Sequence, residues 1–346
     1  MEKAIFEMGR SSIKLPMPVM ICSSYAIAGT KEAQGPLAAE IDELLTDDKF
    51  GQDSWEAAES SLQHAAVTGV LKKAGVTDKQ IRYVFAGDLL GQSMASSFGM
   101  MDFQIPHYGL YGACSSCGEA LGLGAMAIGG GFAGRVICVT SSHFASAEKE
   151  FRFPLEYGGQ RPKTSTWTVT GSAAFLLAAS SDGAKDGKPL AQITGVTTGR
   201  IIDMGIKDSM NMGCAMAPAA ADLISQHLQD FGRTEQDYDL IITGDLGKVG
   251  SQALVDLLLE QNIDISKKHM DCGMLIYDIE AQDVGAGGSG CGCSAVTLSS
   301  HILPRLQSGQ LQRILFLPTG ALLSKTSFNE GNSVPGIAQG IVLEHI

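Results

Sequence analysis

The sequence has little positive charge, few aromatic side chains and no long hydrophobic run. It contains 25 lysines and arginines against 37 aspartates and glutamates, a formal net charge of −12. Proteins that follow nucleic-acid phosphates need a basic face, so we expect no nucleic-acid partner. No stretch reaches the roughly 20 strongly apolar residues that a membrane-spanning helix needs, so we expect no transmembrane segment.

Cysteine is scarce as well. Eight cysteines among 346 residues are too few for a disulfide scaffold, and Cys138 lies in an apolar run typical of a buried free thiol. We therefore expect a reducing compartment. Glu2 and Glu7 precede only a short apolar run, so we expect no signal peptide and a cytoplasmic or peripheral location.

The sequence is rich in glycine and in apolar residues. Hydrophobic residues make up 45% and charged residues 18% of the chain, enough for a large buried core. Short runs rich in Val and Ile alternate with longer helical patterns, which predicts an α/β layered fold. The predicted strands are Val19–Ser23, Tyr83–Ala86, Val136–Thr140, Ala173–Ala178, Gln192–Thr197, Leu240–Thr243, Ile314–Leu317 and Ile341–Glu344. The predicted helices are Trp55–Ala74, Ser116–Ile128, Pro218–Phe231, Ser251–Asn262 and Cys293–Gln307.

An internal repeat is the most informative feature of the chain. Val84–Leu89 matches Ile241–Leu246, and Arg135–Thr140 matches Arg313–Pro318 in the same order. A turn containing glycine and cysteine precedes the second match in each half by nearly the same distance. This order predicts a duplicated α/β unit with an N-terminal half at residues 1–185 and a C-terminal half at residues 186–346. The polar stretch Ser180–Lys188 is the predicted joint.

The segment around Cys114 is the strongest candidate for chemistry. Small residues surround Cys114 between Tyr111 and Leu121, as a sharp strand-to-helix turn requires. The N-terminus of a helix favours a thiolate, so we expect a lowered pKa for this thiol. A buried structural cysteine is the alternative.

Residues Ala113–Ser116 resemble the nucleophile motif of the thiolase superfamily, which includes thiolases and β-ketoacyl synthases. In that superfamily the cysteine carries an acyl group. The resemblance implies a thiolase-like fold, in which two duplicated α/β halves form a five-layered αβαβα core. It also implies a possible homodimer, since superfamily enzymes dimerise by joining their central sheets.

Two longer runs, Ser142–Pro154 and Tyr157–Gly171, resemble the stage V sporulation protein AD family of endospore-forming bacteria. This resemblance implies a role in sporulation and germination, at the spore inner membrane, beside other membrane proteins of the same operon. The implied ligand is dipicolinic acid (pyridine-2,6-dicarboxylate) or its calcium chelate, which the protein would help to move across that membrane. No cofactor is implied.

The departures from the superfamily enzymes point away from catalysis. Condensing enzymes need two histidines, or a histidine and an asparagine, to stabilise an enolate and to move protons. The second-half strand end carries Asp245 in place of a histidine, and a carboxylate would repel an enolate. The glycine-rich turn Gly287–Ser294 offers only Ser289 and Cys291. We therefore expect Cys114 to be a vestigial nucleophile in a protein that is not an enzyme.

The expected ligand-binding residues surround the site that lacks the catalytic histidine and asparagine. They are Cys114, His143, Arg161, Lys163, Asp245, Ser289 and Cys291. His143, Arg161 and Lys163 would supply positive charge to a dicarboxylate, and Trp167, Phe151 or Phe153 would face its ring. A structural role for His143 and a solvated loop for Arg161 and Lys163 are the alternatives.

Two further interpretations stay open. In the first, Cys114 forms a thioester in a working acyl-transfer enzyme. In the second, Cys114 and Cys117 join Cys291 and Cys293 in a four-thiolate metal or redox site, although we expect no metal because Cys291-Gly292-Cys293 is typical of a small-residue helix start. The segment Thr319–Gly336 is expected to form a pocket wall, and core filling is expected for the methionines 204, 210, 212 and 216.

Overall fold

The computed structural model describes residues 6–151, 161–180, 184 and 187–346. Ten main strands follow one another in a continuous hydrogen-bonded path. They are β1 (Ser12–Ala28), β2 (Tyr83–Gly87), β3 (His107–Leu110), β4 (Arg135–Ser142), β5 (Gly171–Ala178), β6 (Ala191–Thr198), β7 (Leu240–Thr243), β8 (His269–Asp271), β9 (Arg313–Leu317) and β10 (Gly336–Glu344). Shorter strands lie at Glu7–Met8, Glu43–Leu44, Trp167–Thr168, Gly288–Ser289 and Thr319–Ala321.

Helices of very different lengths connect these strands. They are α1 (Trp55–Ala74), α2 (Met94–Met100), α3 (Ser116–Gly129), α4 (Phe144–Phe151), α5 (Met212–Phe231), α6 (Gly247–Leu259), α7 (Cys272–Leu275), α8 (Cys291–Thr297), α9 (Leu303–Gln307) and α10 (Lys325–Asn329). In the described part of the chain, none of these helices combines the length and the apolar character needed to cross a bilayer.

The strand order repeats in the two halves. The first half has the order β3-β2-β4-β5-β1 and the second half has the order β8-β7-β9-β10-β6. In each half the last strand in the chain, β5 or β10, runs antiparallel to both neighbours, whereas the other pairings are parallel. Antiparallel pairing of β1 with β6 joins the halves. The predicted duplication is therefore confirmed, but the boundary within Ser180–Lys188 stays a prediction, since residues 181–183 and 185–186 lie outside the described residues.

Three clusters of buried apolar side chains lie between the layers of the molecule. One lies between α1 and the first-half strands and includes Leu62 and Leu176. A second lies between α5 and the second-half strands and includes Leu223 and Val342. The third surrounds α3, where Leu121 is fully buried among residues of both halves. Helices therefore cover both outer faces and fill the middle, which is the five-layered αβαβα arrangement predicted from the resemblance.

Some element boundaries differ from the predictions. The two edge strands β3 and β8 were not predicted, because they are short and partly exposed and so lack a continuous apolar run. The predicted strand Val19–Ser23 is the middle of the longer β1. Sequence patterns identify the buried centre of a strand better than its ends.

The observed helix boundaries also differ from the predicted ones. The predicted helix Pro218–Phe231 begins earlier, at Met212, because the Asn211 side chain accepts a hydrogen bond from the Cys214 N–H and caps the helix there. Helix α6 begins four residues before the predicted Ser251. The predicted helix Cys293–Gln307 begins at Cys291 and changes to a π-helical turn at Leu298–Ile302 before α9.

A buried carboxyl connects the two halves away from the strand path. Glu32 of the first half accepts hydrogen bonds from the Thr170 N–H at 3.0 Å and from the Tyr277 hydroxyl of the second half. Its other oxygen, Oε2, has no hydrogen-bond partner within the described part of the chain. Burial raises the pKa of Glu32 to about 7, and the charge of Asp48 contributes in the same direction.

The raised pKa of Glu32 predicts a specific pH dependence of stability. Because the folded protein holds this proton more tightly than the unfolded chain, the contribution of Glu32 is fully present below its ordinary pKa of 4.5. It is lost as pH rises through about 7, by about 3 kcal/mol. Glu32→Gln keeps both hydrogen bonds without the charge. We expect it to lose nothing at pH 5 and to be more stable than the wild type at pH 8.

The measurement is the unfolding midpoint in denaturant at pH 5 and at pH 8. Glu330→Gln changes an exposed carboxyl by the same chemistry and serves as the control with no pH-dependent difference. Equal midpoints for Glu32→Gln and the wild type at pH 8 would contradict a buried carboxyl that titrates near neutrality.

Candidate functional site

A strained turn precedes helix α3 and presents Cys114. Ala113 has φ of 49°, in the left-handed region that is rare for a residue with a side chain. The Ser115 hydroxyl donates to the Gly112 carbonyl at 2.6 Å, and the Ser116 hydroxyl donates to the Ala113 carbonyl at 2.7 Å. The two serines therefore stabilise the turn, and Cys114 lies two residues before the first residue of the helix.

The strand Thr319–Ala321 packs directly on this turn. A Cβ atom at Gly320 would lie 2.4 Å from the Gly112 carbonyl oxygen and 3.1 Å from the Ser115 nitrogen. Only glycine permits this approach of two backbones. Gly320 is thus the residue of the segment Thr319–Gly336 that contacts the cysteine turn.

The second half begins α8 with an equivalent turn. Gly290 has φ of 99°, and a Cβ atom there would lie 2.5 Å from the Ser142 hydroxyl. The Gly292 N–H donates to the same hydroxyl at 3.2 Å, and the Thr140 hydroxyl donates to the Cys291 carbonyl at 3.2 Å. The start of α8 is therefore anchored to the end of β4, in the other half of the molecule.

Cys114 and Asp245 form a hydrogen-bonded pair where the two turns meet. Asp245 also accepts hydrogen bonds from the Gly290 N–H and from the Thr319 hydroxyl, both at 2.9 Å. Cys114 is 8% exposed and Asp245 is 1% exposed. The carboxyl thus has donors from both halves and faces the sulfur directly.

The prediction of a lowered thiol pKa is wrong. Burial raises the pKa of the Cys114 thiol well above its usual range, and the facing Asp245 carboxyl raises it further. Burial also raises the pKa of Asp245 to about 7, although its hydrogen bonds from Cys114, Gly290 and Thr319 act in the opposite direction. Loss of water and a facing negative charge outweigh the dipole of α3. Residue 114 therefore carries a thiol near neutral pH, and a thiol is a poor nucleophile.

A small, mostly apolar cavity lies beside Cys114. Its volume is about 20 Å³, close to the space that one water molecule occupies. The residues that line it are Leu89, Ala113, Cys114, Glu148, Thr168, Met212, Ser289, Ala321 and Leu323. Any larger ligand therefore requires side chains of this wall to move.

The structure brings four of the seven expected ligand-binding residues together. Cys114 and Ser289 line the cavity, and Asp245 contacts Cys114. Cys291 is fully buried behind them in a cluster with Leu89 and Cys114, and its thiol donates to the Ser141 carbonyl at 2.9 Å.

His143 lies elsewhere and has both ring nitrogens engaged. Its Nε2 lies 2.8 Å from the Asp48 carbonyl oxygen, and its Nδ1 accepts from the Ala145 N–H at 3.1 Å. Burial lowers the pKa of His143, so the imidazole is neutral near pH 7. This geometry is that of a structural histidine, and none of the chain's seven histidines lines the cavity.

Arg161 reaches the cavity wall through an ion pair. Its Nη2 lies 2.9 Å from Glu148 Oε2, and Glu148 lines the cavity. The guanidinium carbon lies 4.7 Å from the ring centre of Trp167 and 5.2 Å from that of Phe144. Lys163, in the same turn, is exposed.

The aromatic candidates are settled only in part. The Trp167 ring stacks on Phe144 with ring centres 4.0 Å apart and so lies beside Arg161 rather than in the cavity wall. The side chains of Phe151 and Phe153 lie outside the described residues.

Several residues of the site were not predicted from the sequence. Glu148, Thr168 and Leu89 lie in runs that support the resemblance or the repeat but were not expected to be site residues, and Met212 was expected to fill the core. These residues come together from elements that are far apart in the chain. The only signal in the sequence that could have found them is the change from hydrophobic to polar residues at strand ends. The expected pocket wall in Thr319–Gly336 does contribute two residues, Ala321 and Leu323.

The thiols show no arrangement for a metal. Among the described residues, no three side chains of His, Cys, Asp or Glu are grouped as metal ligands. The eight cysteines are free, and Cys293 approaches the Gly244 carbonyl at 3.6 Å.

Solved structures with this architecture belong to the thiolase-like class. AbyA1, a tetronic acid condensing enzyme, is similar with a TM-score of 0.60 and 17% identity, covering 94% of this chain and 99% of its own. Human mitochondrial 3-ketoacyl-CoA thiolase in complex with CoA has a TM-score of 0.59 and 13% identity, covering 97% and 100%. Cerulenin-bound OleA of Xanthomonas has a TM-score of 0.58 and 14% identity, covering 95% and 97%. The fold is thiolase-like.

The family follows from the sequence comparisons. The family model described as stage V sporulation protein AD matches residues 9–344. Stage V sporulation protein AD of Bacillus subtilis (strain 168) is 44% identical over 336 residues, 97% of each chain. The chain belongs to the stage V sporulation protein AD family, which confirms the resemblance found in Ser142–Pro154 and Tyr157–Gly171.

The Cys114–Asp245 pair predicts low reactivity of this thiol. At pH 8, iodoacetamide should label Cys114 at least about tenfold more slowly than the half-buried Cys214 of α5, since the thiolate is the reacting form. Asp245→Asn removes the facing charge and should accelerate labelling of Cys114 alone. The rate at each cysteine is measured by peptide mass spectrometry. Wild-type labelling of Cys114 at the rate of Cys214 would show that residue 114 ionises readily.

Proposed function

We propose that this protein is a non-catalytic member of the thiolase-like class that binds dipicolinic acid, or its calcium chelate, and assists its transport across the spore inner membrane. The observation that carries the proposal is the Cys114–Asp245 pair. It occupies the position where a thiolase-like enzyme needs a thiolate and an imidazole, and it supplies a neutral thiol and a carboxyl instead.

The chemistry of the pair disfavours condensation at two steps. A thiol must lose its proton before it attacks an acyl group, and the Asp245 charge opposes that loss. An enolate needs hydrogen-bond donors aimed at its developing negative charge. Asp245 already accepts hydrogen bonds from Gly290 and Thr319, so these two donors are engaged with the carboxyl.

The cavity has the chemistry of a slot for a small ring with polar ends. Leu89, Met212 and Leu323 supply apolar surface, whereas Ser289 and Thr168 supply hydroxyl groups. Met212 is unbranched and adapts its shape readily, so movement of a few side chains enlarges the space. Aromatic rings and planar carboxylates fit such a slot.

Arg161 is the cation that we assign to a ligand carboxylate. A guanidinium binds a carboxylate with two parallel hydrogen bonds, and the Phe144 and Trp167 rings hold this guanidinium beside the cavity. The exposed Lys163 adds positive charge at longer range. A calcium chelate carries less negative charge than the free dianion, so the chain's net charge of −12 opposes its approach less.

Equilibrium binding of dipicolinate, with and without calcium, tests this function. The wild type should bind, and Arg161→Ala should weaken binding by about tenfold or more, because a charge-assisted bidentate contact is lost. Arg82→Ala removes the same charge at an exposed site and should leave the affinity unchanged. Absence of dipicolinate binding by the folded wild type under both conditions would end the proposal.

An acyl-transfer enzyme remains the second candidate function, and the backbone favours it. The positive φ of Ala113 and the close approach of Gly320 to the turn retain the geometry of a nucleophile elbow. Incubation with acyl-CoA followed by intact-protein mass spectrometry decides between the two. We expect no stable adduct on the wild type; a thioester lost in Cys114→Ser would establish the enzyme.

We extend the proposal to assembly with a second copy and with membrane proteins of the same operon. Strand β3 is at the edge of the sheet path and exposes Tyr108 by 50%, beside Tyr111 at 46%. An unpaired edge with exposed aromatic side chains is suited to pairing with another chain. Membrane contact would then be peripheral and made through protein partners.

A further inference from the structure

Glu148 lies between the cavity and the Arg161 guanidinium. It lines the cavity beside Cys114, and its Oε2 lies 2.9 Å from Arg161 Nη2. The Glu148 side chain is 12% exposed and the Arg161 side chain is 19% exposed. The pair is therefore shielded from water on most sides, where such an interaction is stronger than on an open surface.

Arg161 is held in place independently of Glu148. The Trp167 and Phe144 rings contact its guanidinium, with centres at 4.7 and 5.2 Å, and its Nη1 lies 3.5 Å from the Thr166 carbonyl. A guanidinium positioned in this way stays ready for a carboxylate if Glu148 turns away.

The helix that carries Glu148 is fixed on its other side. Lys149 of α4 pairs with Glu56 of α1 at 2.8 Å, and the Ser146 hydroxyl donates to Glu59 at 2.6 Å. The helix backbone therefore stays on α1 when the Glu148 side chain rotates.

From this geometry we propose that Glu148 is a specificity-determining residue that competes with the ligand for Arg161. Its carboxylate takes the position of a ligand carboxylate and helps to close the cavity when the site is empty. The inference rests on the proposed function and concerns the selectivity of the same site. A ligand binds only if its own carboxylate and ring contacts outweigh the Glu148–Arg161 ion pair.

The competition has two consequences. An attached carboxylate acts at a high effective concentration, so a single free carboxylate on a small molecule displaces it poorly. A rigid ligand with a carboxylate at Arg161 and a ring in the apolar slot gains the additional contacts that displacement requires. The ion pair thus excludes simple carboxylic acids and admits aromatic dicarboxylates.

Equilibrium binding of dipicolinate and of acetate to wild type, Glu148→Gln and Glu150→Gln tests this role. Glu148→Gln keeps the shape but removes the charge that competes for Arg161, and we expect it to bind dipicolinate about tenfold more tightly. It should also gain measurable acetate binding, whereas we expect none for the wild type. Glu150→Gln makes the same change two residues along α4, outside the cavity wall, and should match the wild type. Glu148→Ala serves as a second variant if the glutamine variant does not fold.

The outcomes separate the two proposals. Wild-type binding that Glu148→Gln leaves unchanged or weakens overturns the competition and leaves the dipicolinate function in place. Binding by Glu148→Gln alone supports the competition, with Glu148 blocking the wild-type site, and overturns dipicolinate binding as the function of the wild type. Absence of binding by all folded variants overturns both.

Discussion

Helices α3 and α8 begin next to each other at the centre of the molecule, and the rest of the structure depends on this contact. The turns before α3 and α8 come from different halves and lie against each other and against the ends of β4 and β5. Layers of strand and helix cover this region and exclude water. Polar groups here must therefore find hydrogen-bond partners in the other half of the molecule. Asp245 does so with Cys114 of the other half, and the Cys291 thiol does so with the Ser141 carbonyl.

This constraint explains how the turn of a nucleophile persists beside a thiol whose pKa is raised. The strained Ala113 and the closely packed Gly320 keep a nucleophile turn intact, because the surrounding layers hold the backbone. Burial raises the pKa of the Cys114 thiol, and the facing group acts in addition: an imidazole would accept the thiol proton and then carry positive charge, whereas a carboxyl repels the thiolate. A strained turn and a thiol that resists ionisation are thus compatible at the same position.

Charge is distributed unevenly around the site. Desolvation opposes ionisation of the buried Asp245 between the two helix starts, whereas the Arg161 guanidinium lies against Trp167 and Phe144. An anion that approaches this cavity meets a protein with a net charge of −12, and the Arg161 cation already has a carboxylate partner. Under the proposed function, recognition of a dicarboxylate would therefore depend on geometry and ring contacts more than on bulk charge.

The sequence by itself determined the α/β class, the duplication and the position of the cysteine turn, because buried strands are continuous apolar runs and a tight turn demands small residues. It also indicated that Asp245 does not replace the catalytic histidine of the superfamily enzymes, since a carboxylate would repel an enolate. The edge strands β3 and β8 were missed because their exposed residues form no continuous apolar run. The start of α5 was missed because the capping Asn211 side chain, and not an apolar pattern, sets it. Only the tertiary structure decided the raised pKa of Cys114, the structural contacts of His143 and the pairing of Glu148 with Arg161. Each of these depends on desolvation and on partners distant in the chain, which no local pattern encodes.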